Sequence, residues 1–445
     1  MLETKTLVLS LFLLALAARP ARADEVRTLS LAEALRMLES QSFVLAEAKS
    51  RVEQARALVG QATSPLLPQV AAAGGYVRNS DEAKVGFRET FGPIFSGIGQ
   101  PMPEGMPGTL YIQPIGVWTV SASAKVPLVV PSAWAERKAA ERASEAAAAS
   151  LGAVRLGLRA ALAQAAWAAA AAEDVVAASE RAVVLAEEHR RTSARMHEAG
   201  ETAALSVLKA ETEVVRRQSD LLRARADLSR ARLAIGVLLG KSLPLRVLPD
   251  PVPDTAAPSE ILVREALEQR PEVAASLAKI RAADAWTLSA RLRLLPQLSG
   301  SAAAFASDMP YPTGEKQGWR LTVDLMWPLF DGGYRGSKRA ESAAEGQGAR
   351  AAAEAQRLSI AQEVADAARD VQVAKERLRL AEQQAKFAAE AAASANRTFA
   401  AGVTGSLEVL DANDRLYLAD VALAEARGRL GVASAALSKA VGRDF

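Results

Sequence analysis

Few residues in this chain could carry bond-making chemistry, and their arrangement argues against it. Cysteine is absent, which removes disulfides, thiol catalysis and a lipidated N-terminal cysteine. His189 and His197 are the only histidines, eight residues apart on what reads as one helix. Two turns apart they can share a face, but no third ligand stands near them in sequence, so no metal site is expected. There is no glycine-rich phosphate loop either. Neither cofactor nor catalysis is expected. What remains is charge placed at turns. Glu408 and Asp411 follow the break GVTGS, and Lys209 holds the equivalent place after the break GETAALS. Acids in the first turns of a helix complement its dipole, worth about 0.3–1 kcal/mol each.

The elements that hold these charges come in two copies. Residues 132–197 are an Ala/Glu/Arg-rich run without proline, followed by the break HEAGETAALS and a second proline-free run ending at Gly240. From about Gly333 the pattern returns, with the break FAAGVTGSLE and an end at Gly442. Positions 197–240 and 399–442 align without a gap: Gly200 falls on Gly402, Thr202 on Thr404, Leu205 on Leu407, Leu208 on Leu410 and Lys209 on Asp411. This is an internal duplication. Ala, Glu, Arg and Leu are strong helix formers. The Gly–x–Thr break supplies a left-handed glycine and then a hydroxyl N-cap, predicting two helical hairpins, 132–239 and 333–441. The first arm has about 65 residues, or roughly 95 Å, far longer than a globular domain is wide.

Residues 1–23 read as a secretory signal: Lys5, the apolar run Leu7–Ala18, then the small-x-small site Ala21-Arg22-Ala23. No later stretch reads as a transmembrane helix. Subtracting Lys5, Arg19, Arg22 and Glu3 from the 54 basic and 51 acidic residues leaves 51 and 50. A near-neutral remainder gives no reason to expect a nucleic-acid partner. The first repeat, 24–240, opens with the capping box Ser30-x-x-Glu33 and a helix to about Thr63, stopped by Pro65 and Pro68. The second, 259–445, opens with a helix from Ser259 to about Leu295. LeuProGln recurs at 67–69 and 295–297. Between the repeats, 241–258 is a Pro-rich linker without periodicity.

After those prolines the period changes to two. In 117–126, Trp118, Val120, Ala122, Ala124 and Val126 alternate with Thr119, Ser121, Ser123 and Lys125. In 319–327, Trp319, Leu321, Val323, Leu325 and Trp327 alternate with Arg320, Thr322, Asp324 and Met326. Trp319 and Trp327 bracket the second apolar face at roughly 26 Å, close to the apolar band of about 25 Å flanked by aromatics in outer-membrane barrels. Each strand is expected to pair with the one before it, giving the pairs 69–79/117–126 and 297–307/319–327. Both feed through a proline (Pro127, Pro328) into a long helix. Residues 80–116 read as a long Pro/Gly/Met loop. Four strands cannot close a barrel, and open edges are not tolerated in lipid. Either the strands are soluble or several copies share one barrel. Helices 30–63 and 203–239 together match the length of 132–197, so two short helices can stack beside one long one and build a wall.

The chain resembles the TolC-like outer membrane efflux proteins over essentially its length after the leader. GVTGSLEVLDANDRLYLADVALAEAR (402–427) carries the resemblance most specifically, with its first-half counterpart GETAALSVLKAETEVVRRQSDLLRARADL and the LeuProGln and TrpProLeuPheAspGlyGly (327–333) corners. It implies an α+β membrane protein. Three chains would form a channel with a 12-stranded β-barrel, four strands per chain, continuous with a long α-helical periplasmic barrel. It also implies the outer membrane of a Gram-negative bacterium, a periplasmic adaptor and an inner-membrane transporter as partners, and a passive exit duct rather than an enzyme.

Under that resemblance Glu408 and Asp411 match an acidic ring at the periplasmic entrance. Lys209 would stand between them and pair with one or the other. Ser206 departs from the family pattern, in which many relatives carry an acid. Gly200, Thr202, Gly402 and Thr404 mark tips that would dock the adaptor; Trp118, Trp319 and Trp327 would lie at the lipid interface. The alternatives are a periplasmic helical-hairpin adaptor, which would need flanking β-rich modules that this chain lacks, or a coiled-coil protein without a pore.

Overall fold

A computed structural model describes residues 27–101, 108–251, 258–311 and 314–443; the expected leader at 1–23 and linker residues 252–257 lie outside the described residues. In chain order the elements are β1 (Thr28–Ser30), α1 (Leu31–Gln41), α2 (Phe43–Thr63), β2 (Gln69–Arg78), β3 (Ala83–Gly86), α3 (Phe87–Gly97), β4 (Thr109–Gln113), β5 (Gly116–Val129), α4 (Pro131–Glu198), α5 (Ala204–Leu238), β6 (Arg246–Leu248), α6 (Ser259–Gln269), α7 (Pro271–Leu292), β7 (Gln297–Ser307), β8 (Gln317–Met326), α8 (Tyr334–Ala400) and α9 (Ser406–Val441). They divide into two compact units. A helical unit gathers the chain up to Arg51 with Ala149–Ala275 and everything from Glu354; a sheet unit holds Val52–Ala148 and Ser276–Ala353.

The helical unit has two cores, and the duplication reaches into both. Leu158, Leu162, Ala169, Ile235 and Leu239 pack in the first; Ile360, Val364, Val371, Leu437 and Val441, each 202 residues later, pack in the second. Against them lie α1 (Ala34, Leu38) and α6 (Leu262, Ala266), related by a shift of 228. Ser30 forms the expected capping box, its hydroxyl accepting from Glu33 N at 3.2 Å while its own N–H donates to Glu33 Oε2 at 2.9 Å.

Four expectations need correction here. The helix expected over 30–63 breaks at Ser42, and that expected over 259–295 breaks at Arg270, both extended in backbone. At the second break Pro271 clashes with a helical Arg270 and forces the interruption. The linker 241–258 contains β6, which pairs in parallel with β1. Finally, α4 holds an 18-residue window apolar enough by composition to cross a membrane, with mean hydropathy 1.3. Its alanines supply that value, and several, including Ala163, Ala166 and Ala169, are buried against other helices.

Arg270, almost fully buried, ties the second core together. It donates to Glu363 at 2.5 Å, to Glu272 at 2.9 Å and to the Ala440 carbonyl at 3.4 Å, and Lys439 reaches Glu363 at 3.0 Å. Burial works to raise the pKa of Glu363, but hydrogen bonds from Arg270 and Lys439 outweigh it and hold the carboxyl below its ordinary value of 4.5. A depressed carboxyl contributes stability that is present above the unfolded value and lost as pH falls through the folded one. Glu363→Gln should therefore flatten the fall in melting temperature below about pH 4.5, read by circular dichroism in detergent. An acid limb of unchanged steepness would show that this cluster does not set it.

In the sheet unit, four strands form one antiparallel sheet in the order β2-β5-β7-β8. Both expected pairs form, and β5–β7 joins the two halves of the chain. Bounds shift by a few residues, most at β5. Pro127, expected to end it, lies inside the strand, which continues to Val129 with a register shift against β7 between Pro127 and Val129. Proline has no N–H to give the ladder, and a bulge accommodates it. The segment 80–116, expected as a loop, carries its own hairpin β3–β4 and helix α3, where Phe87 and Phe91 stack at 4.5 Å.

Candidate functional site

Two features of the chain can act on other molecules: the hairpin turns and the sheet face. At the first turn Gly200 has φ +80° and its N–H donates to the His197 carbonyl at 2.9 Å, while Glu201 N reaches Met196 O at 2.9 Å. At the second, Gly402 has φ +75°, with Gly402 N to Phe399 O and Val403 N to Thr398 O both at 2.9 Å. These are matching left-handed helix ends of the Schellman kind. A Cβ on either glycine would meet open space, so backbone conformation alone demands glycine there.

The threonines do not cap the following helices as expected. The N-cap positions are Ala203 and Gly405, neither with a side-chain hydrogen bond. Each break is one residue longer than a Gly–x–Thr cap allows. Thr404 Oγ1 instead meets Thr398 Oγ1 at 2.9 Å, and the Thr202 carbonyl meets His197 Nδ1 at 2.9 Å.

Glu408, Asp411 and Lys209 are all exposed. Glu408 bends back over the start of α9, so that a Cβ on Gly405 would lie 2.7 Å from its Oε2. That is the placement the helix dipole favours. Asp411 pairs with Arg415 at 3.1 Å, one turn along its own helix. Within one chain, therefore, Arg415 and not Lys209 neutralises Asp411.

The buried polar centre of these hairpins lies higher up and was not anticipated. Arg217 of α5, with a side chain only 3% exposed, donates to Glu213 at 2.7 Å and to Asp220 at 3.2 Å on its own helix. It also donates to Asp414 of α9, and its guanidinium lies over the Tyr417 ring at 4.4 Å. Burial opposes the charge, but the hydrogen bond to Asp414 and the surrounding carboxylates keep the guanidinium's pKa raised. Arg216 adds a second contact to Asp414 at 2.6 Å, and the Tyr417 hydroxyl lies 3.4 Å from Ser179 on α4. The sequence signal was available: acids at i−4 and i+3 around one arginine on a helix. Beside this cluster is a cavity of about 60 Å³ between α4, α5 and α9, which His189 also lines. His189 is buried, with Nε2 3.0 Å from Ser406 Oγ and its ring 4.9 Å from that of Phe399.

The sheet has two unlike faces. The register places Val70, Ala72 and Tyr76 beside Ala124, Ala122 and Trp118, then beside Ala302 and Ala304, then beside Leu321 and Trp319. Trp118 and Tyr76 lie 4.8 Å apart, and Trp319 is 75% exposed. Trp327, just past β8, is exposed too, its indole N–H donating to the Leu294 carbonyl at 3.2 Å. The opposite face carries Ser121, Ser123, Lys125, Ser299, Ser301, Arg320, Thr322 and Asp324. Among the described residues no cluster of metal-ligand type occurs.

An apolar antiparallel sheet face and duplicated long helical hairpins thus occur in one chain. The chain belongs to the Outer membrane efflux protein family, whose pattern it matches over residues 34–241 and 262–443. It is 28% identical over 200 residues to Outer membrane protein OprJ of Pseudomonas aeruginosa, an alignment covering 44% of this chain and 40% of OprJ. It thus spans about two fifths of that relative's length. Its fold matches the outer membrane protein VceC of Vibrio cholerae at TM-score 0.74 and 19% identity, covering 93% of this chain and 96% of VceC. The match to the open-state MtrE outer membrane channel of Neisseria gonorrhoeae has TM-score 0.73 at 20% identity and covers 93% and 89% of the two chains.

Proposed function

We propose that three copies of this chain form a passive outer-membrane exit duct of a tripartite efflux or secretion assembly, docking a periplasmic adaptor and an inner-membrane transporter. The sheet carries the proposal. Its outer edges, β2 and β8, are unpaired among the described residues and run antiparallel to each other. The β8 edge of one copy can therefore pair with the β2 edge of the next, and lipid tolerates no open edge. Two copies would give an eight-stranded barrel filled by its own side chains; three give twelve strands and leave a lumen. The apolar face turns to lipid with Trp118, Trp319 and Trp327 at its borders, and the small polar face lines the passage. The family's name and the channel named in the MtrE structure support a conducting role. The helical hairpins reach into the periplasm, and the tips at Gly200, Thr202, Gly402 and Thr404 dock the adaptor. Glu408 and Asp411 ring the entrance with Lys209 between them; in the assembly Lys209 meets these acids across the opening.

Detergent-extracted protein should have the mass of three chains and form pores in planar bilayers. Lys209→Glu should raise cation selectivity, and Glu408→Gln combined with Asp411→Asn should lower it. A folded, pore-forming monomer would sink the trimer. Selectivity untouched by the double neutralisation would leave these acids with the dipole role alone.

A further inference from the structure

We propose that His189 is an acid-sensitive latch between the two hairpins: neutral, it holds the second turn against α4, and protonated, it lets that turn go and opens the entrance. The proposal rests on the duct reading and names how its entrance is regulated.

His189 lies on α4, in the first hairpin, yet both of its contacts belong to the second. Its Nε2 is 3.0 Å from the hydroxyl of Ser406, the first residue of α9, and its ring lies 4.9 Å from that of Phe399 in the last turn of α8. Those two residues flank the turn at Gly402. One side chain thus grips both ends of the second turn. The ring is only 3% exposed, and its Nδ1 has no hydrogen-bond partner among the described residues. A neutral imidazole tolerates this: Nε2–H donates to Ser406 and Nδ1 keeps a lone pair. An imidazolium must donate from both nitrogens, and a buried donor without an acceptor is costly.

The neighbouring charges offer no relief. From α5, Glu213 and Arg217 line the adjoining cavity; from α9, Tyr417 and Asp420; from α4 itself, Arg181. Each carboxylate is already engaged, Glu213 by Arg217 at 2.7 Å and Asp420 by Arg181 at 2.9 Å. From α8 the ring meets Phe399, and from the start of α9 the Ser406 hydroxyl, both uncharged. Asp220 and Asp414, just beyond, are likewise held by Arg217 and Arg216, and no acceptor among the described residues reaches Nδ1, so an added imidazolium would bury a donor without a partner. In keeping with this, burial pulls the His189 pKa below the ordinary histidine value of 6.5. The sign follows: the packed state gains from neutral His189 above pH 6.5 and loses that gain as pH falls toward the depressed value.

His197, the other histidine, is exposed at the first turn and bonds the Thr202 carbonyl, so it serves as the control. Wild-type channels in planar bilayers should conduct roughly threefold more or better at about pH 5.5 than at about pH 7.5. His189→Gln, which keeps an N–H for Ser406 and cannot titrate, should be flat, and His197→Gln should respond like wild type. Hydrogen exchange across 399–410 in detergent-solubilised protein reads the latch without current. Corrected for the chemical rate, it should accelerate on acidification in wild type and not in His189→Gln. Retention of the acid response in His189→Gln, or its absence from wild-type exchange, overturns the latch. Channels that carry no current at any pH count against the duct reading instead, and exchange still decides the latch.

Discussion

Gly431→Leu is expected to unfold the helical hairpins at markedly lower temperature than any surface change. Here α9 crosses α4 at a distance that leaves no room for a side chain. A Cβ on Gly431 would lie 1.9 Å from Trp167 Cδ2, and one on Gly428 would lie 2.4 Å from the Ala171 Cβ. Replacing a mid-helix glycine normally gains up to about 1 kcal/mol of helix propensity. At Gly431 the clash with an indole ring reverses the sign, since overpacking costs about 1–3 kcal/mol or more. Gly348→Ala provides the contrast: it is exposed within α8, a Cβ there meets nothing, and its melting temperature should rise. Thermal melts of the far-ultraviolet signal in detergent compare the two. Equal melting of Gly431→Leu and wild type would show that Trp167 can leave its place freely.

Arg217→Leu is expected to have an effect of similar size through a different mechanism. Removing the guanidinium leaves Glu213, Asp220 and Asp414 close together around an apolar side chain. Breaking a buried ion pair by deleting one partner costs about 3–5 kcal/mol, because the charge left behind stays desolvated. Arg217→Lys should fall between wild type and leucine. A lysine keeps the charge but cannot serve several carboxylates and lie flat on Tyr417 at once. Adding Asp414→Asn to Arg217→Leu should recover part of the loss, and the melting temperatures of this double-mutant cycle measure how much. Strictly additive effects would mean that Arg217 and Asp414 do not stabilise each other.

What could be read from the sequence was whatever repeats or alternates. The turns at Gly200 and Gly402 were legible because glycine and helix formers surround them in both copies, and both proved left-handed. The strands at 297–307 and 319–327 were legible because an apolar set at period two can only mean one face of a sheet. The break at Arg270 was legible in principle, since Pro271 follows it, but a long Ala/Glu/Arg run hid it. That at Ser42 has no proline and emerges only as the duplicate of Arg270. Pro127 misled in the other direction: a proline that ends most strands is absorbed here by a bulge. The threonines misled because hydroxyl preference at an N-cap is only a local tendency, and two Thr hydroxyls bonding each other satisfied it differently. The Arg217 centre was missed for another reason. Its partners Asp414 and Tyr417 lie nearly 200 residues away, and only tertiary packing brings them to α5. The short β1–β6 pair was hidden likewise, three residues being too few for periodicity.

The open sheet edges have a genetic consequence. In the proposed three-copy barrel no chain completes its own wall, and each β8 depends on the β2 of its neighbour. A copy with a damaged edge would therefore spoil the two intact copies assembled with it. Where damaged and intact copies are made in equal amounts and mix freely, only roughly one assembly in eight would be wholly intact. Edge mutations in this chain should accordingly behave as dominant alleles. Lesions that keep a chain from reaching assembly at all should be recessive.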